Sequence, residues 1–322
     1  MHTTIFSIFL GVNMIDGIIL LLSGLILLSY GSDWFIVGSS RIAKYLDISN
    51  FVIGATVVAF GTSLPEIVTS IYAAYTNSPD IAIGNALGSC IANIGLVLGI
   101  SVLIYPVMVK SKPIITNSYL YLIFTIIITI LGYNGFSRID GILLLLLLFY
   151  YLKHTIKNGG ACEEEVDTSI STVKAVVFLV VGLASVVFGS HLFVEGARNI
   201  ASYLGISEKI IGFTLVAVGT SLPELAVSIS AARRKLGDII LGNVVGSNMA
   251  NICGALALSS VITDLPSVKF ELAINIILVT LMVLFMNKSK IKLSKLNKIH
   301  RLEGLILLAI YFIFIVKLTG IF

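Results

Sequence analysis

The stretch that decides the fold is GTSLPE, residues 61–66, and the same six letters return at 219–224. Each copy lies in a long apolar run without Lys or Arg. A proline in such a run breaks a helix, because it lacks a backbone N–H and its ring clashes with the carbonyl four residues earlier. A glutamate in apolar surroundings is costly as well. The repetition indicates that the proline and the glutamate serve one purpose together.

The composition places these motifs in a membrane protein. The chain has 322 residues, of which 57% are apolar and only 12% charged, about half the charged fraction of a typical soluble domain. A membrane span needs about 20 apolar residues, and the apolar runs predict ten. The predicted spans are 15–40, 50–75, 80–105, 114–134, 137–156, 173–200, 208–232, 238–262, 270–287 and 302–320. We therefore expect an all-α integral membrane protein.

An internal repeat organises the chain. With a shift of 158 positions, residues 31–96 align with 189–254 without a gap, and 34 of the 66 pairs are identical. The predicted units are a first repeat at 1–156 with its motif at 50–96, a short linker at 157–172, and a second repeat at 173–322 with its motif at 208–254. Each repeat holds five spans, an odd number, so the second must enter the membrane inverted. Inverted repeats with a midplane site are the plan of many secondary transporters.

The basic residues predict the orientation, since Lys and Arg accumulate in cytoplasmic loops. With the amino terminus outside, 16 of the 21 basic residues fall on the inner side. Both termini are then outside and the linker 157–172 is cytoplasmic, which we expect to be the arrangement in the plasma membrane. The basic run KSKIKLSKLNKIHR, residues 288–301, is expected to anchor the inner face against lipid.

The two prolines predict where backbone oxygens become available. Pro65 releases the carbonyl of Gly61, and Pro223 releases that of Gly219. The helix is therefore expected to be broken or unwound at 59–63 and at 217–221. Free carbonyls at membrane depth are tolerated only inside protein or beside a water-filled cavity, and they are good ligands for hard cations.

Glu66 and Glu224 follow the prolines directly. A charge at the centre of the bilayer costs about 3 kcal/mol on insertion scales. The glutamates could be neutral by protonation or paired with a basic residue, although neither run contains Lys or Arg. Asp33 and His191 are further ionisable groups in the first span of each repeat and could pair with each other. A bound cation is the more economical counter-charge.

The span after each broken helix carries GNALGSCIAN at 84–93 or GNVVGSNMAN at 242–251. Glycines four residues apart let helices approach closely, so we interpret them as packing positions. Ser89 and Asn93 share one helix face, as do Ser247 and Asn251. These four side chains either bond between helices or complete an oxygen cage.

Together the centre offers two carboxylates, hydroxyls of Thr62, Thr220, Ser63 and Ser221, the four polar side chains and freed carbonyls. A set made only of oxygen suits Ca²⁺ or Na⁺ and disfavours Zn²⁺ or Cu²⁺. Its fixed charge of two negatives is neutralised by one Ca²⁺ or by two Na⁺. Competition for the same carboxylates would couple the movements of the two ions. An empty site would leave two carboxylates unpaired, so we expect the change of access from one membrane face to the other to be disfavoured without a bound ion.

The paired motifs resemble those of the sodium/calcium exchanger family in the cation/Ca²⁺ exchanger superfamily, above all its archaeal and bacterial members. The resemblance rests on GTSLPE with GNALGSCIAN and again GTSLPE with GNVVGSNMAN. It implies that Glu66 and Glu224 coordinate Ca²⁺ and share in Na⁺ binding, and that Thr62 and Thr220 bind Ca²⁺ through their carbonyls. The implied further ligands are Ser63, Ser221, Ser89, Ser247, Asn93 and the carbonyls of Ala59 and Ala217.

The resemblance also implies a mechanism, electrogenic exchange of three Na⁺ for one Ca²⁺ by alternating access. The first spans of the repeats would slide across a core of eight helices. Asn251 stands where potassium-dependent exchangers and several prokaryotic members carry aspartate, whereas the potassium-independent animal exchangers carry a polar amide. The asparagine keeps the charge of the site at two negatives and argues against K⁺ co-transport. The Na⁺ and Ca²⁺ ions are then transported substrates, and we expect the protein to need no cofactor and to have no enzymatic activity. We expect membrane lipid to surround the protein and no nucleic acid to bind it. A monomer is compatible with the sequence.

Three alternatives stay open at this point. Two carboxylates could load protons, as in a Ca²⁺/H⁺ exchanger of the same superfamily. A potassium-dependent exchanger is the second alternative. A cation channel is a different class, because a broken helix with a glutamate pair could also form a selectivity filter. An intramembrane protease is disfavoured, since the four histidines are not paired in the sequence.

Overall fold

The computed structural model describes residues 14–109, 112–160, 170–205, 219–288 and 297–319. Its helices are α1 Met14–Tyr45, α2 Asn50–Thr62, α3 Leu64–Tyr75, α4 Pro79–Ile104, α5 Lys112–Leu131, α6 Arg138–Asn158, α7 Thr172–Tyr203, α8 Leu222–Arg233, α9 Gly237–Ile262, α10 Lys269–Met286 and α11 Arg301–Thr319. Within these segments, seven helices are long and apolar enough to cross a membrane, and the bent pair α2–α3 makes eight. The membrane-spanning helical class is as predicted. The count of ten spans stays a prediction, because residues 208–218 of the seventh predicted span, 208–232, lie outside the described residues.

Short polar residues begin several of these helices. The hydroxyl of Ser49 accepts from the N–H of Val52 at the start of α2, and Ser171 caps α7 by accepting from Lys174. Ser137 forms a reciprocal capping box with Asp140 at α6. Such caps satisfy backbone donors that the first helical turn leaves unpaired, so each of these helices begins where its sequence provides a cap.

The helix at the first GTSLPE motif bends at one residue. The axes of α2 and α3 differ by 46° about Ser63, whose backbone (φ −85°, ψ 3°) is not helical. The prediction of an unwound stretch over 59–63 was too wide, since residues 59–62 stay helical. Pro65 lies in the first turn of α3, where its missing N–H costs nothing. A wider π-helical turn at Gly54–Val58 precedes the bend.

The first helices of the two repeats, α1 and α7, pack closely through glycines. A Cβ at Gly24 would lie 2.6 Å from the carbonyl oxygen of Gly189, and a Cβ at Gly31 would lie 3.1 Å from that of Gly182. As the contact moves forward along α1 it moves backward along α7, so the helices are antiparallel. The absence of side chains at these glycines is what allows the close approach.

The core is formed by α4 and α9, whereas α1 and α7 lie at the periphery. Within the apolar 18-residue stretch of each helix, all residues of α9 and 78% of those of α4 are buried. In α1 and in α7 the buried share of this stretch is 22%. A Cβ at Gly246 would lie 2.5 Å from the carbonyl of Ala55 in α2. This confirms packing for the glycines of the second repeat. The segment that would pack on Gly84 and Gly88, by the 158-residue shift, lies outside the described residues.

Two short backbone pairings tie loops together, and neither was predicted. Val107–Met108 pairs antiparallel with Lys298–Ile299, joining the α4–α5 loop to the α10–α11 loop. Phe136 pairs with Leu265, joining the α5–α6 loop to the α9–α10 loop. The 158-residue shift between the repeats maps the α4–α5 loop onto the α9–α10 loop and the α5–α6 loop onto the α10–α11 loop, so the two pairings correspond to each other.

The basic run at 288–301 begins differently from its prediction. Lys288 does not face lipid, because its ammonium lies 2.7 Å from a carboxylate oxygen of Glu303 and both side chains are largely buried. The backbone N–H of His300 donates to the same carboxylate. Lys288 therefore anchors the start of α11, while residues 289–296 lie outside the described part of the chain.

Candidate ion-binding site

The two glutamates occupy the first turns of α3 and α8. Glu66 and Glu224 are both fully buried. The prolines before them place each helix start at this point, and the N-terminal end of a helix carries partial positive charge that favours a carboxylate. The sequence therefore brings a carboxylate to the start of a helix in each repeat.

The carboxylates have few protein partners. Ser63 Oγ donates to Glu224 Oε1 over 2.9 Å. Among the described residues, Glu224 Oε2 and both oxygens of Glu66 have no hydrogen-bond partner. Ser63 directly precedes α3, which carries Glu66, so its bond to Glu224 brings the starts of α3 and α8 together. Buried carboxylates without a cationic partner are strongly disfavoured, so the arrangement calls for a bound cation or protons.

Asp33 and His191 do not pair with each other. The carboxylate of Asp33 accepts a hydrogen bond from Ser230 Oγ and lies 3.7 Å from the guanidinium of Arg234 at the end of α8. His191 is exposed on α7. The antiparallel register of α1 and α7 places position 191 beside residue 24 of α1, about 14 Å from Asp33 at 1.5 Å per residue.

Hydroxyl groups connect the helices around the carboxylates. Thr62 Oγ1 donates to the carbonyl of Val58 or Ala59 within α2, and Ser247 Oγ reaches the same Ala59 carbonyl over 3.4 Å. Ser89 and Thr220 lie 3.3 Å apart across the repeats. Ser221 is buried, and its hydroxyl has no partner among the described residues. Ser63 and Ser221 directly precede the helices that carry the two glutamates, so both repeats contribute a hydroxyl group at these helix starts.

The Ala59 carbonyl is less free than the proline argument predicts. It accepts the backbone N–H of Ser63 over 3.0 Å besides the hydroxyls of Thr62 and Ser247. The bend therefore leaves this oxygen within the helical pattern. Its part as a ligand stays a prediction, and its mate Ala217 lies outside the described residues.

Two buried amides, Asn93 and Asn251, stand at corresponding positions at the start of π-helical turns in α4 and α9. π-helical turns are rare and frequently occur at functional sites. Asn93 Nδ2 donates to Asn248 Oδ1 over 3.0 Å, and Asn93 Oδ1 has no partner among the described residues. The same holds for both amide atoms of Asn251. Buried amide oxygens are thus available to a ligand.

Further asparagines brace this arrangement, and the sequence reasoning missed them. Asn85 Nδ2 donates to the carbonyl of Glu66 and to Ser70 Oγ. The mate of Asn85, Asn243, donates in the same way to the carbonyl of Glu224 and to Ser228. The signal was present, since both asparagines recur at the same position of an apolar helix in each repeat.

The chemistry of the described donors is that of a hard-cation site. Among the predicted site residues, hydrogen bonds link Ser63 to Glu224, Ser89 to Thr220, and Thr62 and Ser247 to the carbonyl of Ala59. Glu66, Ser221, Asn93 and Asn251 are buried, and each has a side-chain oxygen without a partner among the described residues. Within the described residues, no cluster of three or more His, Cys, Asp or Glu forms a metal site. Carboxylate, amide, hydroxyl and carbonyl oxygens are the ligands that Ca²⁺ accepts in flexible geometry.

Fold and site together define a multi-pass membrane protein with two buried carboxylates and further buried oxygen-bearing side chains. A model of the family described as sodium/calcium exchanger protein matches residues 17–157 and 174–320. The chain therefore belongs to the sodium/calcium exchanger family, whose members are membrane transporters.

Individual relatives resemble the chain over nearly its full length. It is 52% identical to an uncharacterised membrane protein of Methanocaldococcus jannaschii, over 95% of this chain and 99% of the relative. It is 33% identical to the sodium/calcium exchanger MaX1 of Methanosarcina acetivorans, over 93% and 97%. Among solved structures it is similar to the sodium-calcium exchanger NCX_Mj soaked with 2.5 mM Na⁺ and 0.1 mM Ca²⁺, with a TM-score of 0.84, 52% identity and coverage of 92% and 96%.

Proposed function

We propose that this chain exchanges Na⁺ for Ca²⁺ across the plasma membrane, with Glu66 and Glu224 as carboxylate ligands common to both ions. The observation that carries the proposal is that these buried carboxylates have no cationic partner among the described residues. Membership of the exchanger family supports the identity of the ions, as does the similarity to an exchanger soaked with Na⁺ and Ca²⁺.

The remaining ligands follow from the oxygen atoms around the carboxylates. Thr62 and Thr220 would bind Ca²⁺ through backbone carbonyls, with Ala59 and Ala217 as Na⁺ ligands of the same kind. Side-chain oxygens would complete the set, from Ser63, Ser221, Ser89, Ser247, Asn93 and Asn251. Because one Ca²⁺ or two Na⁺ neutralise the carboxylate pair, the ions compete, and this competition couples their movements.

The proposed architecture is ten helices in two inverted repeats, 1–156 and 173–322, with the linker 157–172 in the cytoplasm and both termini outside. The antiparallel packing of α1 and α7, which are corresponding helices, supports inversion. The matching braces Asn85–Glu66 and Asn243–Glu224 support the same relation. The excess of basic residues on one side supports the orientation.

Alternating access is the proposed mechanism. In the peripheral helices α1 and α7, only 22% of the apolar 18-residue stretch is buried. This pair of helices would slide across the buried core around α4 and α9. An empty site leaves two uncompensated buried carboxylates, which makes crossing without an ion costly. That cost is what obligatory exchange requires, and it distinguishes an exchanger from a channel.

Three Na⁺ against one Ca²⁺ would move one net positive charge in each cycle, so the exchange is proposed to be electrogenic. The amide at Asn251 keeps the fixed charge of the site at two negatives, which disfavours K⁺ as a co-transported ion. A Ca²⁺/H⁺ exchanger is the second candidate, favoured by the orphaned oxygens of Glu66, which would also accept protons.

Uptake of radiolabelled Ca²⁺ into proteoliposomes tests the choice of ions. With pH clamped on both sides, we expect an outward Na⁺ gradient to drive uptake, without any need for K⁺. A potential that is positive inside should speed uptake, because the Na⁺ that leaves carries more positive charge than the Ca²⁺ that enters. Uptake that follows a pH gradient and ignores Na⁺ would support the Ca²⁺/H⁺ exchanger instead.

A further inference from the structure

A chain of hydrogen bonds behind the site runs through Asn248 of α9. Its Nδ2 donates to the carbonyl of Cys90 in α4 over 3.3 Å and to the hydroxyl of Tyr121 in α5 over 2.8 Å. Its Oδ1 accepts from Asn93 Nδ2 over 3.0 Å. Asn248, Tyr121, Cys90 and Asn93 are all fully buried, so water does not compete for these bonds.

The direction of this chain is fixed at one end. A backbone carbonyl oxygen only accepts hydrogen bonds, so the amide group of Asn248 that faces Cys90 must be its NH₂. The oxygen of Asn248 then faces Asn93, which must present its own NH₂. As a result Asn93 Oδ1 points away from Asn248 and the other members of the hydrogen-bond series, and it has no partner among the described residues. An amide oxygen can bind a cation and an amide NH₂ cannot.

The second repeat lacks this arrangement. The 158-residue shift places Cys90 where the second repeat has Asn248, and a thiol is a weak donor that cannot fix an amide. Its Sγ lies 3.8 Å from the backbone carbonyl of Asn248. Asn251, the mate of Asn93, has neither amide atom bonded among the described residues. Within the part of the chain that the structure describes, one of the two amides is therefore held in a fixed orientation and the other is not.

We propose that Asn248 is a positioning residue that holds Asn93 Oδ1 toward the transported ion, with the Cys90 carbonyl and Tyr121 fixing its direction. This rests on the proposed function, because it takes Asn93 as a ligand. Asn248 itself does not touch the ion. Its loss lets the Asn93 amide turn and present NH₂ to the site, which weakens ion binding and leaves the carboxylates in place.

The test compares Asn248→Leu, which keeps the approximate volume, with Asn248→Cys, which installs the residue of the other repeat. Residues behind metal ligands typically contribute about 10- to 100-fold in affinity. We expect either variant to raise the half-saturating Ca²⁺ concentration of Na⁺-driven uptake by about tenfold, with a smaller change in maximal rate. Asn275→Leu and Asn275→Cys, at a buried amide of α10, are matched controls expected to keep wild-type half-saturation.

A second background separates positioning from general damage to the core. In Asn93→Ala the amide that Asn248 orients is gone, so adding Asn248→Cys should cause no further rise in half-saturating Ca²⁺. The proposal would be overturned if Asn248→Cys raised the half-saturating Ca²⁺ concentration equally in the wild-type and Asn93→Ala backgrounds. It would also be overturned if Asn248→Cys left that concentration unchanged in the wild-type background. Either result is compatible with continued Na⁺-driven exchange, so neither would contradict the proposed function. Loss of exchange in the unmodified protein would instead contradict the proposed function. Should Asn248→Leu not fold, Asn248→Cys alone decides.

Discussion

Ser63 Oγ of the first repeat donates a hydrogen bond of 2.9 Å to Glu224 Oε1 of the second repeat. The corresponding bond from Ser221 to Glu66 is not formed, because Ser221 Oγ and both carboxylate oxygens of Glu66 lack partners among the described residues. The repeats are thus related in sequence and unequal in bonding at the site. The proposed alternating access accounts for this inequality, because the site would be open to only one face of the membrane in any one conformation.

This inequality predicts different costs for two matched substitutions. Ser63→Ala removes a bond to a buried charged group, worth about 1.5 to 3 kcal/mol, whereas Ser221→Ala removes no bond in this conformation. We expect Ser63→Ala to lower the melting temperature of the ion-free protein in detergent by clearly more than Ser221→Ala. Equal losses would show that the inequality of the two serines does not describe the ion-free protein.

The glycine contact between α1 and α7 predicts that an added methyl group is not tolerated. A Cβ at Gly24 would lie 2.5 Å from the backbone nitrogen of Phe193, so Gly24→Ala must push the helices apart. Overpacking typically costs about 1 to 3 kcal/mol. We expect a lower melting temperature together with slower Na⁺-driven Ca²⁺ uptake.

Gly254→Ala is the matched control for that substitution. Its methyl would lie 3.8 Å from Ile67, an ordinary contact. The close packing of α1 on α7 would be refuted as a constraint on transport if Gly24→Ala and Gly254→Ala behaved alike in both measurements.

Ion removal should destabilise the protein. A ligand that binds only the folded state stabilises it by about 2.7 kcal/mol at 100 times its dissociation constant, so Ca²⁺ should raise the melting temperature and a chelator should reverse the gain. Excess Na⁺ should reduce the Ca²⁺-dependent gain, because both ions need the same carboxylates. A Ca²⁺ effect retained in full by the double variant Glu66→Gln, Glu224→Gln would place the stabilising ion elsewhere.

The pair Lys288–Glu303 supplies a prediction about stability alone. Removing one partner of a largely buried ion pair leaves an uncompensated charge and costs about 3 to 5 kcal/mol. We expect Lys288→Met to lower the melting temperature strongly. Adding Glu303→Leu should recover part of the loss, and failure to recover any would mean that the pair is not the reason for the damage.

The spans and the bend at Ser63 could be predicted from sequence because they depend on local properties. Apolar runs, capping serines and the prolines act on their own neighbours, so the bounds of α4, Pro79–Ile104, agree with the predicted span 80–105 within a residue. The repeat likewise singles out Glu66 and Glu224 from the sequence alone. The width of the bend was overestimated, since Pro65 at a helix start disturbs only the residue before the new helix.

What the sequence did not provide depends on contacts between distant segments. The role of Asn248 appears only when α4, α5 and α9 come together, because its partners Cys90 and Tyr121 are 158 and 127 residues away. The pairing of Asp33 with Ser230 and Arg234, rather than with His191, depends on the register of α1 against α7 and α8. The pairing of Val107 with Ile299 joins loops from both repeats. None of these is encoded in a local pattern.

The central claim is that Glu66 and Glu224 together bind the transported Ca²⁺. Na⁺-driven uptake of radiolabelled Ca²⁺ by proteoliposomes containing Glu66→Gln or Glu224→Gln tests it most directly, with Glu271→Gln as control for losing a partly exposed carboxylate in the first turn of α10. The account predicts that either site variant reduces uptake to the level of empty liposomes, while the control transports like the wild type. Wild-type uptake by either site variant would contradict it.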